Sequence, residues 1–151
     1  MTHAVTLPFK KIPHGSDDFL VETPRYGTDG AACFDLQAAV SMSIPGGKTA
    51  LIPTGLAFQI PEGYKLDVYS RSGLSIKHDL ALANGTGIID SDYRGEVMVA
   101  LYNRAESTRH IERGDRIAQA MLVPVPKVHL IQVDELETTE RGAGGFGSTG
   151  R

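Results

Sequence analysis

The sequence predicts an all-β fold, a jelly-roll-like β-sandwich or barrel with one short helix and a flexible Gly-rich C-terminal arm. Three observations carry that expectation. The 151 residues include 17 Gly and 8 Pro, which divide the apolar residues into short runs. Those runs recur at regular spacing with turn residues between them. The last eleven residues hold five glycines around a single aromatic, Phe146, a composition that packs no core and should be mobile when free.

The elements follow in chain order. Residues 5–9, 33–38, 49–60 and 65–70 read as strands, with turns at Pro45-Gly46-Gly47 and Pro61-Glu62-Gly63. In 65–70, Leu66 and Val68 point one way and Lys65, Asp67 and Tyr69 the other. The best helix signal is Ser70-Arg71-Ser72-Gly73-Leu74-Ser75-Ile76-Lys77-His78, one or two turns capped by Ser70 or Ser72. Further strands are expected at 80–83, 87–90, 96–102, 116–125 and 128–133. Asn84-Gly85 signals a hairpin, although its flanking runs are short. Residues 96–102 are apolar on both faces, with Val97, Val99 and Leu101 on one and Met98, Ala100 and Tyr102 on the other. A strand of that kind is buried on both faces, either as a central strand or because another subunit covers one of them. From about Glu135 the chain turns charged and then Gly-rich, which divides it into a β domain over 1–134 and an arm over 135–151.

Composition narrows the function. A net charge of −3 offers no basic excess for a phosphate backbone, so no nucleic-acid partner is expected. A small anionic ligand held by local donors remains compatible with it. Cys33 is the sole cysteine, which allows no internal disulfide and fits a reducing cytoplasm; in the run Ala31-Ala32-Cys33-Phe34 it reads as a buried small hydrophobe. No apolar run nears the ~18 residues that span a bilayer, and the first ten residues lack a signal peptide's apolar stretch. No His lies near another His or Cys at zinc-ligand spacing.

Three internal segments and the arm carry chemistry. Ser70-Arg71-Ser72-Gly73-Leu74 places a guanidinium, hydroxyls and bare N–H groups together, the donors that phosphate takes, though a capped surface helix has the same composition. Asp90 ends the apolar run Gly87-Ile88-Ile89, where a carboxylate is well oriented for general-base work, and Tyr93 can reach the same pocket; Asp90 and Asp92 also suit an ordinary turn. Gln119 is polar amid Ile117, Ala118, Ala120 and Met121, and is either a structural crosslink or a ligand contact. The arm offers Arg141, unobstructed backbone N–H groups, Ser148, Thr149 and the flat ring of Phe146, to which phosphate and a nucleobase bind. It lacks Gly-Lys-Ser/Thr, so it is not a P-loop.

Taken together, these segments resemble the trimeric deoxyuridine triphosphate pyrophosphatases (dUTPases), which carry five short motifs in fixed order. The first is Ala32-Cys33-Phe34-Asp35-Leu36-Gln37-Ala38 and the second Ser70-Arg71-Ser72-Gly73-Leu74. The third runs from Gly87 through Asp90 and Tyr93 to Glu96, the fourth from Gly114 to Gln119, and the fifth from Arg141 through Phe146 to Thr149. One departure is Ser70, where the family usually has Pro. The deoxycytidine triphosphate (dCTP) deaminases share the fold and often begin the second motif with Ser. Their Glu in the strand after motif three is Ala100 here, and they lack the Gly-Phe-Gly-Ser-Thr arm. A nucleotide-dependent regulatory binding module is a third reading, with no partner-binding insertion to support it.

The resemblance implies a cytoplasmic homotrimer that hydrolyses dUTP to dUMP and pyrophosphate with Mg²⁺, keeping uracil out of DNA and supplying dUMP for thymidylate synthesis. Asp90 would bind the 3′-OH and take a proton from the attacking water, with Gln119 near the α-phosphate. Arg71, Ser72 and Gly73 would hold phosphates, and Asp35 would lie in the outer shell of a Mg²⁺ carried mainly by substrate oxygens. Asn84 and the backbone through Gly87 and Ile89 would read uracil, and Tyr93 would pack under the sugar. Phe146 would stack on the base while Arg141, Gly147, Ser148 and Thr149 grip phosphate. Each site would draw motif three from one subunit, motifs one, two and four from another, and the arm from the third.

Overall fold

The computed structural model describes residues 5–147, so Ser148 and Thr149 lie outside the described residues. Every strand pair is antiparallel. In chain order the elements are β1 (Phe9–Lys11), β2 (Phe34–Gln37), β3 (Met42–Ile44), β4 (Thr49–Pro53), β5 (Leu56–Phe58) and β6 (Tyr64–Tyr69). Then come α1 (Ser72–Lys77), β7 (Leu80–Leu82), β8 (Gly87–Ile89), β9 (Met98–Asn103), β10 (Arg109–Ile111) and β11 (Arg116–Pro124). A four-stranded sheet runs β2-β11-β6-β8 and a three-stranded sheet β4-β9-β7; β3-β10 and β1-β5 form two-stranded ribbons. No sheet closes into a barrel among the described residues.

The two larger sheets share one core. Leu36, Leu66, Ala118 and Ala120 from the first meet Ile52, Leu80, Val99 and Leu101 from the second, each nearly or wholly buried. At ~25 cal/mol per Å² of apolar area removed from water, this shared interior supplies the main driving force for folding, the arrangement of a sandwich.

Several expected elements differ from those observed. Residues 49–60 form two strands, because Thr54 and Gly55 break the run; Gly55 adopts φ +66°, which a side chain resists. The Asn84-Gly85 turn forms, with Gly85 at φ +72°, but it closes no hairpin: β7 pairs with β9 and β8 with β6, so the turn carries the chain from one sheet to the other. The short ribbon β3-β10 has too few and too polar residues to be legible as strands. Residues 128–133 form no strand. Val128, Leu130, Ile131 and Val133 are largely exposed, because among the described residues no sheet edge pairs with them. Cys33 is half-buried rather than buried; desolvation first and the neighbouring Asp35 carboxylate second push its thiol above its ordinary value, so it is no ready nucleophile.

Residues 97–103 do alternate in this single chain. Val97, Val99, Leu101 and Asn103 are buried, whereas Met98 is 41 % and Tyr102 39 % exposed. Leu51, on β4, lies opposite Ala100 and is exposed as well, so β4 and β9 present an uncovered apolar stripe.

Candidate active site

Strand register brings three of the five motifs together. Gln119 on β11 lies opposite Asp35 on β2 and, on its other side, opposite Tyr69 on β6. Directly opposed residues share a face, so Asp35, Gln119 and Tyr69 form one row across the sheet. Ser70 and Arg71 follow Tyr69 at the end of that row. Arg71 Nε donates to Asp35 Oδ1 at 2.8 Å and its Nη1 to the Arg116 carbonyl at 3.1 Å. Gln119 Nε2 donates to the Ser70 carbonyl at 3.0 Å, which makes it a structural crosslink here and leaves its amide oxygen for other work.

Arg116 was not singled out by the sequence. It reaches the row because the β2–β11 register shifts between Arg116 and Ala118. Ile117 and Ala118 then both turn into the core, and Arg116 emerges on the outer face with its Nη1 3.3 Å from Asp35 Oδ2. Bulges often re-aim side chains in this way beside functional sites. Both Asp35 oxygens are therefore engaged by guanidiniums, whose charge exceeds the single carboxylate.

The helix start differs in detail from expectation. Arg71, in extended backbone, occupies the N-cap of α1 and no side chain caps it. Ser70 Oγ instead accepts the Leu82 N–H at 2.9 Å, tying β6 to β7. A proline there could not make that link, so the serine replaces ring rigidity with a hydrogen bond. Ser72 and Gly73 are exposed at the first helical turn beside Arg71.

Motif three lies elsewhere. Ile89 pairs with Leu66 and Gly87 with Val68, so Asp90 falls beyond Leu66, level with Lys65. Four positions along β6 separate that level from Tyr69 and Gln119, about 13 Å at ~3.3 Å per residue, and Ser70 and Arg71 lie further on. Asp90, with Ser91, Asp92 and Arg94, lines an open groove of about 810 Å³ that also takes in Lys65 and Lys127. Arg71 and Arg116 line a different cleft, of about 370 Å³, with Arg109, His78 and His110. Asp90 is exposed, and its carbonyl accepts the Tyr93 N–H at 3.2 Å. Gly87 lies close against β6: a Cβ there would stand 3.0 Å from Val68 Cβ. Asn84 is exposed at the sheet-crossing turn and Ile89 packs partly on the core.

Between the two ends of β6, Asp67 is only 5 % exposed although it points outward, because Lys65 Nζ lies 3.1 Å away and the Tyr69 hydroxyl donates to it at 2.9 Å. That hydrogen bond is the chief cause of a Tyr69 phenol held above its ordinary value.

The arm stands apart from both clusters. Among the described residues, the last hydrogen bond to the body is Val125 N–H to the Gly63 carbonyl, at the Asp90 end of the sheet. Within the described part, Arg141 Nε donates to the Gly144 carbonyl at 2.8 Å and Gly142 N–H to Thr139, while the Phe146 ring is fully exposed. Gly147 adopts φ +88°.

A β-sandwich with two guanidiniums and exposed N–H groups at one end of a sheet has the chemistry of a phosphate-binding protein. The profile of the dUTPase family matches residues 20–150, and the chain belongs to that family. The deoxyuridine 5′-triphosphate nucleotidohydrolase of Anaeromyxobacter sp. (strain Fw109-5) is 49 % identical over 131 residues, covering 87 % of this chain and 89 % of that protein. That of Methylocella silvestris is 44 % identical over 154 residues, covering 99 % and 94 %. The Staphylococcus bacteriophage 80alpha dUTPase, solved with dUpNHpp, superposes with a TM-score of 0.87 at 30 % identity over 98 % of this chain and 100 % of that one. A point mutant of the dUTPase from phage phi11 of S. aureus, described with a structural Mg(II) ion, gives 0.78 at 27 % identity over 89 % and 100 %. The chain is an enzyme that hydrolyses dUTP to dUMP and pyrophosphate.

Proposed function

We propose that this dUTP hydrolysis takes place at sites shared between three copies of the chain. The carrying observation is that Asp90 lies four β6 positions from the level of Gln119, about 13 Å along one sheet, with Arg71 further on. A base that far from the phosphate-binding row cannot serve it, so the Asp90 of one copy must meet the Arg71 and Gln119 of another. The apolar stripe of Leu51, Met98 and Tyr102 supports an interface, as do the exposed Val128, Leu130 and Ile131. The arm leaves from the Asp90 end of its own sheet, and the sixteen residues from Val125 to Arg141 span up to about 55 Å, enough to reach a further copy.

In this reading Arg71 and the N–H groups at Ser72 and Gly73 hold the phosphates, and Arg116 adds charge beside them. Asp90 binds the 3′-OH and accepts a proton from water as the water oxygen bonds to the α-phosphorus. The bond from that phosphorus to the bridging oxygen breaks, and its electron pair leaves with pyrophosphate. Gln119, fixed by Ser70, offers its amide oxygen to the water. Asn84 and the backbone through Gly87 and Ile89 read the uracil edge, and Tyr93 lies under the sugar. Phe146 stacks on the base while Arg141 and Gly147, with Ser148 and Thr149 beyond the described residues, close over the phosphates.

In this reading the substrate brings the Mg²⁺, and Asp35 takes at most an outer-shell place. Asp35 has both oxygens on arginines, and no group of three or more His, Cys, Asp or Glu is arranged to hold a metal among the described residues. Bound Mg²⁺ would neutralise phosphate charge while held by substrate oxygens and waters, with Asp35 behind the waters. No helix among the described residues is long and apolar enough to cross a membrane. The single Cys33 supports a cytoplasmic setting.

Two measurements test the shared site. Light scattering should give about three times 16.2 kDa, and an active species of monomer mass would contradict sharing. Ending the chain after Glu140 should leave fold and assembly intact, because among the described residues 141–147 make no hydrogen bond to the β domain, and should lower turnover at least ~10-fold through loss of a lid. Protease should clip the arm of the free protein, and dUpNHpp with Mg²⁺ should protect it. Unchanged turnover after truncation, or no protection, would reduce the arm to a passive tail.

A further inference from the structure

The turn that carries Asp90 and Tyr93 is tied to the body by a carboxylate that the mechanism above does not use. Glu96 Oε1 accepts the Gly55 N–H at 2.6 Å and lies 2.8 Å from Nε2 of His14. The His14 and Glu96 side chains are only 21 % and 19 % exposed. The next residue extends the attachment: Val97 N–H donates to the Leu56 carbonyl at 2.8 Å, and Thr54 Oγ1 donates to the Val97 carbonyl at 2.7 Å. Glu96 thus seats on the break between β4 and β5, and the loop bearing His14 straps it from outside. That loop is itself fastened, with Ile12 N–H on the Gly55 carbonyl at 2.8 Å.

On its other side Glu96 holds Tyr93. The phenol donates to the Glu96 backbone carbonyl at 3.0 Å, so the ring folds back over the chain. The ring lies against Gly95, where a Cβ would overlap it. Arg94 Nη1 closes the same turn by donating to the Ser91 and Tyr93 carbonyls. The order of dependence is therefore carboxylate, residue 96, its carbonyl, the phenol, and finally the place of the ring.

We propose that Glu96, clamped by His14 and the Gly55 amide, is a positioning residue that fixes Tyr93 and so sets discrimination against a ribose 2′-hydroxyl. This rests on the placement of Tyr93 beneath the sugar. A 2′-hydroxyl adds one oxygen atom, so excluding it requires a wall that does not give, and a ring held at both the phenol and the backbone is such a wall.

The test measures kcat and KM for dUTP and UTP with wild type, E96A, E96Q, H14A, Y93F and Y93F/E96A. Wild type must first prefer dUTP over UTP; its failure to do so would sink the reading of the sugar pocket rather than the role of Glu96. E96A should lower the dUTP:UTP ratio of kcat/KM at least ~10-fold, chiefly by raising turnover of UTP relative to dUTP. E96Q keeps an oxygen for the Gly55 N–H and should stay within ~3-fold of wild type. In the Y93F background the phenol link is already gone, so E96A should change the ratio by less than ~3-fold, a non-additivity that mere destabilisation does not produce. An unchanged ratio in E96A, with only the melting temperature lowered, would overturn the proposal, as would full additivity in Y93F/E96A. Should E96A fail to fold, H14A decides. It leaves the Gly55 bond in place and should lower the ratio ~3-fold, and no change there would equally overturn the proposal.

Discussion

Replacing Asp90 by Asn is expected to slow dUTP hydrolysis by about 10²–10⁴-fold while nucleotide still binds. The substitution preserves size and most hydrogen bonding and removes the capacity to take a proton. Little else should change. Asp90 is exposed, so no packing is lost, and the turn is held by the backbone bond from Tyr93 N–H to the residue-90 carbonyl, which Asn retains. Pyrophosphate release under saturating dUTP gives the rate, and titration with dUpNHpp gives the affinity. Near-normal turnover would remove Asp90 as the base. Loss of binding as large as the loss of rate would recast it as a substrate anchor.

The largest expected effect is in the choice of nucleotide. A backbone that hydrogen-bonds the uracil edge leaves buried donors and acceptors unpaired when cytosine enters, a penalty that can reach ~10⁴–10⁵ in kcat/KM. The structure suits backbone readout. Gly87 stands so close to Val68 that a side chain there would press on it, and Asn84 lies exposed at the start of the same stretch. Thymine shares uracil's donors and acceptors, so rejection of dTTP must be steric, from a backbone pressed near C5. Incubation with dUTP, dCTP, dTTP and UTP plus Mg²⁺, with products identified, is expected to show strong preference for dUTP and release of pyrophosphate. Comparable cleavage of all four would mark a general nucleotide pyrophosphatase. Ammonia released from dCTP would mark a deaminase, an outcome that Ala100 argues against.

What the sequence made legible was local, and what it hid was relational. Apolar runs and Gly/Pro turns were enough to place β2, β6 and β11 within a residue or so, because side-chain period and turn chemistry are written in adjacent residues. Arg71 and Gln119 stood out as polar groups in apolar or glycine-bearing surroundings, and the structure sets them in one row. The bulge that delivers Arg116 to Asp35 has no local signature, since it exists only as a mismatch between two strands distant in sequence. The Asn84-Gly85 pair forms the expected turn but not the expected hairpin, because a dipeptide specifies its own dihedrals and not which sheets its flanks join. The apolar residues of 128–133 have the composition of a strand and no strand partner among the described residues. The His14–Glu96 contact joins residues 82 apart in sequence, beyond the reach of any spacing rule.

Complementation between two inactive variants tests the shared site most directly. D90N lacks the proposed base but keeps Arg71, and R71A lacks the proposed phosphate-binding guanidinium but keeps Asp90. If one copy supplies Asp90 to another copy's Arg71 and Gln119, mixed assemblies from co-expression contain sites with both wild-type residues. Each variant alone should be nearly inactive, and the co-expressed mixture should recover a substantial fraction of wild-type turnover. A mixture that does no better than the mean of its two parents would place both residues in a site within one chain, and would contradict the account.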